Sequence, residues 1–131
     1  MDAPAARIVQ YFAAREGIAA VYLFGSTADG TARQDSDIDV AVLFDGIPAR
    51  TLNGPRFTIE GELEAVLGRQ VDLVVLNDAP VDLAIRVLRR GQLLSDLNPS
   101  QRIAFEVRTR NEAFDLEPVL TQYRAARSSQ S

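Results

Sequence analysis

Apolar positions along this 131-residue chain alternate between two rhythms. Ala5, Ile8, Val9 and Phe12 recur at helical spacing and predict a first helix over about 4–15, with Pro4 tolerated in its opening turn and Gly17 ending it. Three short apolar runs read as strands: 20–24 (AVYLF), 38–44 (IDVAVLF) and 71–76 (VDLVVL). The stretch from Gly25 to Ser36 is polar and glycine-bearing, a loop or a short helix with turns, and Asp45-Gly46-Ile47-Pro48 is a break. Between the second and third strands, Ile59, Leu63, Val66 and Leu67 form the stripe of a helix over about 57–67, closed by Gly68.

Asn77 and Asp78 are suited to cap a further helix starting near Pro80, with Val81, Ala84, Ile85 and Leu88 inward and Gly91 at its end. Residues 92–95 suit a short edge strand. Asn98-Pro99-Ser100-Gln101 reads as an N-cap, a proline in the first helical position and a glutamine in the third. The long helical segment that follows carries Ile103, Val107 and Phe114 on one face, then Leu116, Val119, Leu120 and Tyr123. Pro118 is expected to kink or divide it, and 128–131 to fray. Strands alternating with helices predict an α/β (α+β) fold. A single domain is expected, with a core over 1–97 and a helical segment over 98–131 that packs on the core or docks a partner.

Composition narrows the chemistry. The chain has no cysteine, histidine, lysine or tryptophan. That excludes Cys/His zinc sites, Ser-His-Asp triads, Schiff-base lysines and the lysine of a phosphate-binding P-loop. Carboxylates, hydroxyls, arginines, backbone amides and bound ions remain. The formal net charge of −4 argues against broad nucleic-acid binding. No apolar run approaches the ~20 residues that span a bilayer. MDAPAARIVQ lacks the basic flank and apolar stretch of a signal peptide, so the cytoplasm is the expected compartment.

One region concentrates that remaining chemistry: GSTADGTARQDSDIDVAVL, from Gly25 onward. Ten residues separate Ser26 from Asp37. On a strand, Asp37 and Asp39 point to one side, while Ile38, Val40 and Val42 point to the other. Asp72 lies within the apolar run of the third strand, where an unpaired carboxylate is disfavoured. If the two strands are neighbours, three carboxylates converge. Two such charges ~4 Å apart repel by about 4 kcal/mol at an effective dielectric near 20, so either protons or a cation must join them. Oxygen ligands suit Mg²⁺, with Mn²⁺ as a substitute, and a pair of such ions can clamp a phosphoryl displacement. Gly25 lets backbone approach a phosphate, and Ser26 offers a hydroxyl and an amide.

Gly25-Ser26, ten intervening residues, Asp37-x-Asp39 and the later Asp72 resemble the signature of the DNA polymerase β nucleotidyltransferase superfamily. Small size and a motif after one helix and one strand resemble the minimal nucleotidyltransferases. Within them, the stretch from about Pro80 through Gly91-Gln-Leu-Leu to Phe105-Glu106, Phe114-Asp115 and Tyr123 is similar to the MntA-type antitoxins paired with HEPN-domain RNase toxins. The resemblance implies a polymerase β-like fold, a small mixed sheet flanked by helices. It implies that Asp37, Asp39 and Asp72 hold two Mg²⁺ ions and that Gly25 and Ser26 bind the β- and γ-phosphates of ATP. Asp72 would also help deprotonate the attacking hydroxyl. The implied activity is AMP transfer to a tyrosine of a HEPN toxin in a type VII-like toxin–antitoxin pair. A non-catalytic antitoxin that occludes its toxin, and an aminoglycoside-like small-molecule nucleotidyltransferase, are the alternatives.

Other charged groups have plainer readings. Arg33 either contacts the triphosphate or pairs with Asp35. Arg86, Arg89 and Arg90 suit the C-terminal dipole of their helix better than docking or nucleotide binding. Arg102, Arg108 and Arg110, alternating with Glu106 and Glu112, suit a solvated face.

Overall fold

Helices cover both faces of the central sheet, which is why its two middle strands are apolar along nearly their whole length. The computed structural model describes residues 3–25, 37–46 and 53–129, with side chains described over 4–25, 37–46 and 54–115. Helix α1 (Ala3–Ala13) leads into β1 (Ile18–Phe24), and β2 (Ile38–Phe44) follows. Helix α2 (Asn53–Leu67) precedes β3 (Val71–Val75) and a 3₁₀ turn (Leu76–Asp78). Helix α3 (Val81–Arg90), β4 (Gln92–Asp96) and α4 (Pro99–Ser129) complete the order. The sheet runs β3-β2-β1-β4. β1 is antiparallel to β2 and to β4, and β2 is parallel to β3, so the expected small mixed α/β sheet is what forms.

Strand alternation sorts the core into two layers. Val21, Leu23, Ile38, Val40, Val42, Leu73 and Val75 face α1 and α2, where Ile8, Phe12, Ile59 and Leu63 are buried. Tyr22, Ala41 and Leu43 face α3 and α4, against Ala84, Val87 and Phe105. Small residues on this second face, Ala20 and Ala41, let the helices lie close.

β3 is an edge strand, and its outward amides are not left bare. Leu73 N–H donates to Glu60 Oε2 at 3.0 Å and Val71 N–H to Glu64 Oε2 at 3.4 Å, so two glutamates of α2 stand in for a missing strand.

Several local expectations need correction. Only Ile59, Leu63 and Leu67 of the α2 stripe are buried, while Val66 is exposed, because a single i, i+4, i+8 ridge reaches the sheet. Asn77 does not cap α3. Its side chain accepts from Phe44 N–H at 2.8 Å and donates to Phe44 O at 3.0 Å, fastening the 3₁₀ turn to β2. Pro80 occupies the cap position without a side-chain hydrogen bond. The cap at α4 does form, Gln101 N–H donating to Asn98 Oδ1, but the Gln101 side chain reaches Phe44 O rather than back to Asn98.

α4 buries a face that hydropathy hid: Phe105, Thr109 and Ala113 point inward. Ile103, Val107 and Phe114 are 50%, 51% and 80% exposed. Pro118 does not divide the helix, whose backbone continues to Ser129. Glu106 is no solvated charge. At 13% side-chain exposure it accepts from Tyr22 Oη at 2.6 Å and from Arg102 at 3.0 Å, and Arg102 also bonds Asp96 at 2.9 Å. This network ties α4 to β1 and β4. Residues 26–36 with Ser26 and Arg33, Pro48 and the side chains of 116–123 lie outside the described residues.

Candidate active site

The parallel register of β2 and β3 sets Asp39 directly beside Asp72, as Ile38 pairs with Val71 and Val40 with Leu73. On the other side Asp39 pairs with Phe24, the last residue of β1. Both aspartates therefore occupy the α3 side of the sheet, near the ends where β2 and β3 begin and β1 ends.

Gly25 turns the chain immediately after β1 with φ +76°, a left-handed conformation that favours glycine. The second reason for glycine is space. A Cβ there would lie 3.0 Å from Asp39 Cγ and closer still to Oδ2. The turn thus packs its bare backbone against the Asp39 carboxylate. At the far side, Gly91 has no room for a Cβ either, which would lie 2.5 Å from Val87 O of the preceding helix, with Leu23 O at 3.2 Å and Phe24 Cβ at 3.4 Å. This close passage brings the end of α3 over the end of β1.

These elements enclose a cavity of about 400 Å³. Gly25, Asp39 and Asp72 line it, with Arg86 and Arg90 of α3 opposite and Phe24, Val74 and Leu83 forming its apolar wall. A second cavity of about 380 Å³ shares Asp72, Val74 and Leu83 with the first and adds Arg56, Asp78 and Pro80. Asp72 is thus reached from both.

Burial raises the Asp39 carboxyl above its ordinary pKa, and the charges of Asp72 and then Asp37 raise it further. The pair is an electrostatically stressed site that a cation would relieve. Among the described residues, no three acidic side chains gather closely enough to hold one ion. Two carboxylates nevertheless suit Mg²⁺, which takes one or two such ligands and completes its octahedron with phosphate oxygens and water.

Of the five residues singled out in sequence, Gly25, Asp39 and Asp72 share one cavity. Asp37 is exposed at the mouth of β2, within electrostatic reach of Asp39. Ser26 lies outside the described residues. Sequence reasoning missed the cavity-lining positions of Arg86 and Arg90. Their i, i+4 spacing, offset from the inward Ala84 and Val87, was the available signal.

Residues 6–100 match the family "Polymerase beta, Nucleotidyltransferase". The chain is 39% identical over 75 residues to a protein adenylyltransferase MntA of Thermococcus cleftensis, covering 57% of this chain and 73% of that one. It is 41% identical over 75 residues to a protein adenylyltransferase MntA of Shewanella oneidensis, covering 56% of this chain but only 51% of that one. A crystal structure of a toxin–antitoxin with AMP-PNP superposes with a TM-score of 0.69 at 25% identity, over 92% of this chain and 98% of that chain. With the family match over most of its length and the paired aspartates beside a glycine turn, the chain belongs to the polymerase β nucleotidyltransferase family.

Proposed function

We propose that this protein is the antitoxin of a HEPN/MNT pair: a Mg²⁺-dependent protein adenylyltransferase that moves AMP from ATP to a tyrosine of its cognate HEPN RNase toxin, acting in the cytoplasm. The observation that carries the reading is the cavity shared by Gly25, Asp39 and Asp72. The adenylyltransferase relatives and the AMP-PNP-containing toxin–antitoxin neighbour support the choice of nucleotide and partner.

In this reading Asp37, Asp39 and Asp72 hold the metal, and the backbone at Gly25 with Ser26 receives the β- and γ-phosphates. Two Mg²⁺ ions, for which Mn²⁺ can substitute, would supply Lewis acidity for the phosphoryl displacement when bound. Asp72 serves both cavities, the first for nucleotide and the second for the acceptor side chain. In this reading it also takes the acceptor's proton. The tyrosyl oxygen bonds to the α-phosphorus, the bond to the β-phosphate oxygen breaks and pyrophosphate leaves. AMP on a toxin tyrosine adds charge and bulk that oppose RNA.

We further assign residues 1–97 to the catalytic core and 98–131 to a helical segment that packs on the core by one face and docks the partner by the other. The exposed apolar residues Ile103, Val107 and Phe114 support that role. The test is to incubate the protein with labelled ATP, Mg²⁺ and the proposed HEPN toxin, then weigh the toxin. A mass gain of one or more AMP units that disappears with Asp39→Ala supports the assignment. Tight binding and RNase inhibition without an adduct would replace it with occlusion.

A further inference from the structure

We propose that Arg86 and Arg90 form the cationic wall of a polyphosphate subsite, holding the terminal phosphates of the nucleotide and then the departing pyrophosphate. The proposal rests on the nucleotidyltransferase reading of the same cavity and adds two residues on an element outside its signature.

Three observations carry it. Arg86 and Arg90 lie one helical turn apart on α3 and line the cavity that also holds Gly25, Asp39 and Asp72. Both are exposed, and among the described residues neither forms an ion pair, although Asp39 and Asp72 share their cavity and Asp82 lies four residues before Arg86. Like charges at i and i+4 repel on a helix, so an unpaired arginine pair on one face is a local cost that an anion between them would offset. The helix-dipole explanation covers Arg89 and Arg90 in the last turn, but not Arg86 a turn earlier.

Charge balance gives the pair a specific partner. Three carboxylates, two divalent cations and a triphosphate of about four negative charges leave roughly three in excess, and two guanidiniums reduce that to about one. Guanidinium forks match phosphate oxygens in pairs. The end of α3 passes over Leu23 and Phe24 at Gly91, and Arg90 and the Gly25 turn line one cavity there. The ligand is therefore a polyphosphate, not an isolated phosphate monoester such as AMP. The charges it adds fall on the leaving group, where negative charge accumulates as the bond to the α-phosphate breaks.

The experiment compares wild type with Arg86→Gln/Arg90→Gln, Arg86→Lys/Arg90→Lys and Asp39→Asn. Calorimetric binding of Mg-ATP, inorganic tripolyphosphate and AMP is measured, with adenylyl-transfer kinetics and a melting curve for each. The glutamine pair is expected to lose tenfold or more in affinity for ATP and tripolyphosphate. It should keep AMP affinity within twofold and melt like wild type, and the lysine pair should recover part of the loss. Wild-type ATP and tripolyphosphate affinities in the glutamine pair, while Asp39→Asn abolishes Mg-dependent binding, would overturn the arginine subsite and leave the nucleotidyltransferase reading intact. No Mg-dependent ATP binding by wild type would overturn both. Equal loss of AMP and ATP binding would also overturn the subsite, because it would place the arginines on the nucleoside.

Discussion

Asp39→Asn is expected to stabilise the metal-free protein while abolishing its activity. Neighbouring strands run about 4.8 Å apart, so paired carboxylates of Asp39 and Asp72 lie on the order of 5 Å from each other. At that distance two unit charges repel by about 0.8 kcal/mol in bulk water and about 3 kcal/mol at an effective dielectric near 20. Burial of the Asp39 carboxyl is the larger cost and the Asp72 charge the second; with Asp72 exposed, solvent keeps the repulsion below even the lower figure, and the total penalty is about 1 kcal/mol. Because the Asp39 pKa is raised on folding, the folded state keeps the proton to higher pH than the unfolded chain. This group's contribution therefore falls as pH rises through the carboxylate range, and the penalty is complete once pH exceeds the folded pKa. In EDTA at pH 7, Asp39→Asn should melt about 3–5 °C above wild type by circular dichroism. At pH 3, where wild-type Asp39 is protonated folded and unfolded alike, the two should melt together. Saturating Mg-ATP should reverse the order, since only wild type gains from binding. A variant that melts below wild type in EDTA at pH 7, or gains as much at pH 3, refutes the stressed-pair account.

Three further outcomes follow from the packing. Gly25→Ala forces a side chain into a left-handed turn and against Asp39, and should lower adenylyl transfer on the order of 10²-fold with a stability loss of about 1–2 kcal/mol; near-normal turnover would contradict the close approach. Burial and the Glu106 hydrogen bond hold the Tyr22 phenol protonated well above its ordinary range, so Tyr22→Phe removes a donor to a carboxylate and should cost about 1.5 kcal/mol by urea denaturation, an unchanged midpoint being the contrary result. Phe105→Ala should cost about 3–5 kcal/mol in urea, whereas Val107→Ser should stay within about 0.5 kcal/mol, and the reverse ranking would mean α4 packs by its other face.

What the sequence disclosed was what local spacing encodes. The β2 run is apolar at every position but Asp39, so both its place in the sheet and its odd carboxylate stood out. Gly25 and Asp72 were legible for the same reason, as exceptions inside regular patterns. The orientation of α4 was not. Its buried ridge contains Thr109 and Ala113, which score poorly as core, while its exposed flank carries Ile103, Val107 and Phe114. Hydropathy ranks side chains by what they would prefer, and here the face turned away from the sheet holds the greasier set. Asn77 misled for a related reason: a capping residue type was serving a non-local backbone, Phe44, 33 positions away. Arg86 and Arg90 shared a visible i, i+4 face, but that this face lines the cavity of Asp39 and Asp72 depends on where α3 packs on the sheet, which local spacing does not encode.

The glutamate-sealed margin of the sheet has a bearing on turnover. A marginal strand is the one most free to peel away, and Asp72 rides on it. Glu60 and Glu64 act as latches from the opposite layer, so the spacing of the two site carboxylates is set partly by a helix that contributes no wall to the cavity Asp39 and Asp72 share. Alignment tolerance at the reaction centre is thereby delegated to the far side of the protein. Changes in rate from altering that helix are expected to come as small loosening effects rather than as lost contacts with substrate.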